Sequence, residues 1–161
     1  MLETSSRNHA DGTSISIPCD VLGFVATNVM RDALGLVDSI RFDKLNAKLV
    51  SHYGWSQEEV DCLCALYREW LALHICYPDM DFVPNAKLDE YWHAHILDTR
   101  AYTQDCLLLF GKYLHHYPYF GLEGDADIRE QSFKNTCAFY MHHFGHALTG
   151  GANPCHSTDC R

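Results

Sequence analysis

The sequence predicts an all-α protein, a single-domain bundle of about five helices built around a central helix near residues 85–114. Apolar residues recur at the three- and four-residue spacing of amphipathic helices over most of the chain, and Gly or Pro interrupts this pattern at its ends. The sequence contains no alternating strand-length run bounded by hairpin turns, no internal repeat and no glycine-rich phosphate loop. These observations favour helices throughout.

Charge and hydropathy limit the partners of the chain. Twelve basic residues against twenty-one acidic ones give a formal charge of −9, and no cluster of Lys or Arg is present. This balance disfavours a phosphate-binding surface, so we expect no nucleic-acid partner. No apolar run approaches the roughly 20 residues that span a bilayer, so we expect no membrane segment and a cytoplasmic location.

The 161 residues divide into one folded domain and two polar ends. Hydrophobic residues make up 47% of the chain, which is enough for a single core in a domain of this length. We expect a flexible leader over residues 1–17, a helical domain over residues 18–149, and a flexible tail containing Cys and His over residues 150–161.

Residues that start and stop helices mark the first three elements. A periodic segment begins after Pro18, and a second over residues 38–54 ends at a glycine. Ser56 and Glu59 form a capping box that satisfies free backbone amides and predicts the start of a third helix, which ends before Pro78. The apolar face of this third helix consists of Val60, Leu63, Tyr67, Trp70, Leu71 and His74.

The central helix carries the densest group of chemically capable side chains. Its predicted core face consists of Leu88, Trp92, His95, Thr99, Cys106, Phe110 and Tyr113. A second stripe places an imidazole, two carboxylates and a phenol in line, and these four residues are the candidate catalytic groups: His95, Asp98, Tyr102 and Asp105. We expect Asp98 to fix the tautomer of His95 from three residues away.

The two histidines of the His93-Ala94-His95 motif need separate roles, since residues two apart on a helix point in nearly opposite directions. His93 lies four residues after Asp89 and is expected to form an exposed ion pair with it. For His95 two interpretations stay open. It is a catalytic or metal-binding group, or it is a neutral core histidine bonded to a carbonyl, Tyr102 or Tyr91.

Neighbouring helices of a bundle can combine imidazole and carboxylate donors into a metal site. The candidate ligands are His74, His95, Asp98, His115 and His116. Such donors favour zinc or iron. The sequence lacks the Glu-x-x-His pairs of di-iron bundles and the His-Glu-x-x-His motif of zinc proteases, so it indicates a metal but no reaction, and whether the protein is an enzyme stays open.

The last helix is predicted to start near Asp127, with Glu130 completing a second capping box. Its predicted core face consists of Phe133, Cys137, Tyr140, Met141, Phe144 and Leu148. His142 and His146 have the four-residue spacing of metal-binding pairs, but both point away from this face. A solvated histidine face is therefore the favoured interpretation.

Two alternatives place the function outside the histidine stripe. In the first, the stripe is a buried polar network of a non-enzymatic interaction module, and the aromatic loop Tyr117, Tyr119 and Phe120 contacts a protein or peptide. In the second, Gly150 and Gly151 separate a folded leader from a modifiable peptide. Cys155, His156, Asp159 and Cys160 of that tail can form a copper or zinc clip or a disulfide.

The stretch from Val83 to Gly121 resembles the core of the glycine-rich domain-containing protein-like family, and its short bacterial members in particular. The positions that carry the resemblance are Asp89, Trp92, His93, His95, Tyr102, Asp105, Cys106, Phe110, Gly111 and His116. The glycine-rich regions that give the family its name are absent. The resemblance implies that the central helix is important, but it names no activity.

Overall fold

A computed structural model describes residues 23–148 of the protein, and this part of the chain is helical without any strand. The predicted all-α class is therefore confirmed, with six helices rather than about five in the described range. They are α1 (Thr27–Val37), α2 (Asp43–Ser51), α3 (Gln57–Cys76), α4 (Ala86–Leu97), α5 (Thr99–Phe110) and α6 (Ala126–Phe144). The predicted leader over residues 1–17 and the tail over residues 150–161 lie outside the described residues.

Helix α3 occupies the middle of the bundle, because it contacts each of the other five helices. The Ser56 side chain accepts a 3.1 Å hydrogen bond from the Glu59 amide, which confirms the predicted helix start. The apolar face of α3 is also as predicted, since five of its six members are buried: Val60, Leu63, Tyr67, Trp70 and Leu71.

The predicted central helix is two helices that meet at Asp98. The backbone of this residue leaves the helical region, with φ −83° and ψ 71°, and its carboxylate accepts a 3.3 Å hydrogen bond from the Ala101 amide at the start of α5. In a straight helix, residues ten apart are about 15 Å apart along the axis. Here the side chains of Trp92 and Tyr102 meet at 2.8 Å, so α5 folds back against α4.

The chain reverses again after α5 at Gly111, which has φ +67°, the left-handed conformation that glycine adopts most easily. We refer to residues 112–121 as the return segment. The Leu114 carbonyl in this segment accepts a 2.6 Å hydrogen bond from the Tyr102 hydroxyl. The return segment is thereby fixed beside α4 and α5.

Helix α6 begins at Ala126, one residue before the predicted start, but its capping and part of its core face differ from the prediction. Asp127 lies inside the first turn and no side chain caps the helix, so the second capping box is wrong. Phe133, Tyr140 and Leu148 are buried as predicted, whereas Met141 is 54% exposed. Phe139 takes an inward position because it packs edge-on against aromatic rings of the core.

The first two helices are shorter than their periodic segments, and residues 38–42 form a link whose Ile40 and Phe42 side chains are buried in the core. In residues 23–148, no helix has both the length and the apolar character that a membrane crossing requires.

Candidate metal site

Three side chains from α4 and the return segment converge on one point. Asp89 and His93 are four residues apart on α4 and therefore share a face, and His116 approaches them from the return segment. The Nε2 atoms of His93 and His116 are 2.9 Å apart, and His116 Nε2 lies 3.2 Å from Asp89 Oδ1. His93 Nε2 lies 3.6 Å from Asp89 Oδ2. Within the part of the chain described here, this is the one cluster of three His, Cys or acidic residues close enough to hold a metal ion.

The separations in this triad fit the coordination sphere of a small transition-metal ion. Zinc binds imidazole nitrogen and carboxylate oxygen at about 2.0–2.2 Å, which puts neighbouring ligand atoms of a tetrahedral site about 3.3 Å apart. The observed distances of 2.9, 3.2 and 3.6 Å lie around that value. Two histidines and one carboxylate leave further coordination positions open, as in catalytic zinc sites and non-haem iron sites.

Burial favours the protonation state that binds metal. Asp89 is 6% exposed, and both imidazoles are half-buried. Burial lowers the pKa of His93 below its ordinary value of 6.5, against the opposing charge of Asp89. A neutral imidazole offers a nitrogen lone pair to a cation. Two Nε2 atoms at 2.9 Å share one proton when no cation lies between them, and a bound metal ion would take the place of that proton.

Neighbouring side chains hold two residues of the triad, Asp89 and His116, in place. The Asn85 side chain caps α4 by accepting a 2.9 Å hydrogen bond from the Leu88 amide, which fixes the first turn that carries Asp89. The Trp92 ring packs against the His116 ring with 4.6 Å between centroids. The hydrogen bond from Tyr102 to the Leu114 carbonyl fixes the backbone two residues before His116.

Asp89 and His116 also line a cleft of about 200 Å³, which we call the metal cleft. Five of its fourteen lining residues are Trp, Tyr or Phe, three are other apolar residues and six are His, Asp or Arg. Besides Asp89 and His116 the lining includes Trp70, Trp92, His74 and Arg129. Concave sites that combine aromatic side chains with polar groups are typical of small-molecule binding. The arrangement therefore places two potential metal ligands at the edge of a space that a small molecule can enter.

His95 belongs to a different network, away from the metal cleft. It is 3% exposed, its Nδ1 lies 2.9 Å from the Tyr67 hydroxyl, and its Nε2 lies 3.0 Å from Asp105 Oδ2. Burial raises the pKa of Tyr67 well above 10, so this hydroxyl stays protonated and donates to Nδ1. Nε2 then carries the proton and donates to Asp105, which leaves neither ring nitrogen of His95 open.

Three of the four residues of the predicted catalytic stripe stay in contact and Asp98 is separated from them, since the Tyr102 ring also packs edge-on against His95 with 4.9 Å between centroids. Asp105, rather than Asp98, is the carboxylate bonded to His95, and Asp98 is exposed at the start of α5. Tyr102 is buried, with its hydroxyl bonded to Trp92 and Leu114. The expected pairing of His95 with Asp98 is wrong, because the helix breaks at Asp98 and α5 brings Asp105 to the imidazole instead.

The five predicted metal ligands are also separated. His116 joins the triad, and His74 and His115 line the metal cleft without belonging to the triad. His95 and Asp98 lie elsewhere, as described above. Sequence reasoning did not identify Asp89 and His93 as ligands. Their four-residue spacing was a usable signal, but it was interpreted as an exposed ion pair.

The remaining histidine pair does not form a site. α6 ends at Phe144, so His146 leaves the helix and its Nε2 lies 3.1 Å from the Glu69 carboxylate. His142 stacks on Phe24, with 3.7 Å between ring centroids. The tail residues Cys155, His156, Asp159 and Cys160, together with Gly150 and Gly151, lie outside the described residues.

The comparisons with known proteins identify the family and assign no activity. Neither the curated proteins nor the solved structures include a significant match. The expected resemblance to the glycine-rich domain-containing protein-like family is wrong, because the family model that matches is UCP032817-like, an uncharacterised family. This match extends over residues 33–144, from α1 to the end of α6, and includes all three residues of the triad. The chain therefore belongs to the UCP032817-like family.

Proposed function

We propose that this protein is a small helical metalloprotein that binds one zinc or iron ion through Asp89, His93 and His116. The convergence of two imidazole nitrogens and one carboxylate, at distances of 2.9 to 3.6 Å, is the observation that carries this proposal.

A metal held by three protein ligands would be open to the metal cleft. Zinc in such a site acts as a Lewis acid and lowers the pKa of bound water, and ferrous iron bound by two histidines and a carboxylate supports oxygen chemistry. The residues of this chain would hold the ion and place aromatic side chains near its open side. The molecule that enters the cleft would decide whether the role of the protein is enzymatic or accessory.

Elemental analysis of protein purified without an affinity tag tests the proposal, since eleven histidines make tag artefacts a concern. We expect close to one zinc or iron per chain in the unaltered protein. Asp89→Ala, His93→Ala and His116→Ala should each reduce the metal content to background. His115→Ala is the matched control, because His115 lines the same cleft but lies outside the triad, and it should retain the metal.

Circular dichroism of each variant separates loss of a ligand from loss of the fold. Reconstitution with Co²⁺ provides a second readout, because its visible absorption reports coordination number and geometry. Full metal content in folded His93→Ala or His116→Ala protein would contradict the proposed ligand set. Failure of metal-free wild-type protein to take up zinc, iron or cobalt would contradict the proposal itself.

The aromatic loop supports a second proposal, in which the protein also contacts a protein or peptide. Tyr117 and Tyr119 are each 56% exposed, with their rings in edge-on contact at 5.7 Å. Phe120 is half-buried and lines the metal cleft, so a partner would reach mainly the two tyrosines. The double variant Tyr117→Ala/Tyr119→Ala should lose partner capture without losing stability. Undiminished capture by this variant would exclude the loop as a contact surface.

A further inference from the structure

A second cleft adjoins the metal cleft and is larger, about 410 Å³ against 200 Å³. We call it the side groove. Four residues line both spaces, so the two form neighbouring parts of one depression in the surface: His74, Asp81, Leu114 and His115. The combined space falls within the roughly 300–1,000 Å³ of typical small-molecule sites. One ligand can therefore extend from the side groove to the metal cleft.

The two ends of this depression differ in chemistry. The side groove has apolar side chains from the end of α3, the link that follows it and the end of α5, including Ile75, Met80, Leu109 and Phe110. Its polar lining residues are Lys112 and three that it shares with the metal cleft. The metal cleft has the two potential metal ligands Asp89 and His116. An elongated molecule with an apolar chain and a metal-binding end matches this division.

His74 lies in the wall that the two spaces share. Its Nε2 atom is buried and has no hydrogen-bond partner among residues 23–148. A buried nitrogen without a partner is unfavourable, so a ligand group that reaches it restores a lost hydrogen bond. The His74 ring packs edge-on against Trp70, with 4.2 Å between centroids, and burial lowers its pKa to about 3, so it stays neutral.

We propose that the depression binds a small monocarboxylate, with its apolar chain in the side groove and its carboxylate between His74 and a metal held by Asp89, His93 and His116. This inference rests on the proposed metal site for the position of the carboxylate. The neutral imidazole of His74 would turn from its place against Trp70 and donate a hydrogen bond from Nε2 to one carboxylate oxygen. The other oxygen would occupy an open coordination position of the metal.

Calorimetric titration with octanoate, below the concentration at which it forms micelles, tests the inference. Zinc titration comes first and establishes whether the triad binds metal. We expect saturable octanoate binding to zinc-loaded protein, at least tenfold tighter than to metal-free protein. Acetate, which lacks the chain, and 1-octanol, which lacks the carboxylate, should each bind at least tenfold more weakly than octanoate.

His74→Phe is the decisive variant, because it keeps a planar ring against Trp70 and removes Nε2. It should weaken octanoate binding about tenfold, and His142→Phe, at a histidine outside both clefts, should not. A protein that binds zinc but not octanoate overturns this inference and leaves the metal site in place. Equal affinity with and without zinc, or unchanged affinity in His74→Phe, overturns it as well. Absence of zinc binding overturns the inference, and absence of zinc, iron and cobalt binding together contradicts the proposed function as well.

Discussion

The Tyr102 hydroxyl donates a 2.6 Å hydrogen bond to the Leu114 carbonyl and accepts a 2.8 Å hydrogen bond from Trp92 Nε1. This single oxygen joins α4, α5 and the return segment. Leu114 lies two residues before His116, and the Trp92 ring packs against the His116 ring. Tyr102 therefore positions the third residue of the proposed metal site without contacting the triad through any of these bonds.

Tyr102→Phe should lower metal affinity about 10- to 100-fold, the usual effect of removing a group that orients a metal ligand. Competition with a chromophoric chelator measures this change. Tyr91→Phe is a matched control, since Tyr91 is also buried and its hydroxyl donates a 2.6 Å hydrogen bond to Asn46, away from the triad. Each variant should lose about 1 kcal/mol of unfolding free energy. Equal loss of metal affinity in both would contradict a positioning role for Tyr102.

Helix α3 could be predicted well because the relevant interactions lie within one helix. Ser56 and Glu59 are three residues apart, and a 3.6-residue period alone brings Tyr67 and Trp70 to one face. The break at Asp98 was missed because the apolar period continues across it. An Asp that caps a helix start was present, but the periodicity was given more weight.

The candidate site depends on that missed break. Asp89 and His93 are neighbours on one helix, and their spacing can be recognised in the sequence. His116 meets them only because the chain reverses at Asp98 and again at Gly111. The directions of two reversals are set by tertiary contacts, which residue spacing does not encode. Sequence reasoning could therefore include His116 among possible ligands but could not identify its partners.

His95→Ala should destabilise the protein by about 3 kcal/mol or more, because it leaves the buried Tyr67 hydroxyl and the Asp105 carboxylate without their imidazole partner. Urea unfolding measures the change. Metal content per folded molecule should stay at the wild-type value, since His95 lies outside the triad. Loss of metal from folded His95→Ala protein would instead support the predicted ligand role of His95.

Acid should destabilise the protein through His74. Its folded-state pKa of about 3 lies below the ordinary value of 6.5, so the unfolded chain binds a proton that the folded protein excludes. The loss of stability begins as the pH falls below about 6.5 and is complete near pH 3. Between pH 7 and pH 5 the contribution of His74 amounts to about 2 kcal/mol.

Urea unfolding of wild type and His74→Phe at pH 7, 6 and 5 tests this dependence. The difference in unfolding free energy between the two proteins should shift by about 2 kcal/mol in favour of the variant over this range. His52→Phe, at an exposed histidine that follows α2, is the control. Its unfolding free energy should change with pH in parallel with that of wild type. If the unfolding free energies of His74→Phe and wild type change in parallel with pH, the folded protein accepts a proton on His74 at little cost in free energy, which would contradict this prediction.

Metal binding should itself stabilise the fold, because the triad joins α4 to the return segment and the unfolded chain lacks this arrangement. Free Zn²⁺ at 100 times its dissociation constant should raise the unfolding free energy by about 2.7 kcal/mol. The increase should vanish in His116→Ala and persist in His115→Ala, and EDTA should reverse it. These two substitutions remove the same kind of side chain at adjacent positions. If zinc bound histidines without preference for the triad, both variants would lose the same amount of zinc stabilisation. Equal stabilisation of the two variants by zinc would therefore place the ion outside the triad.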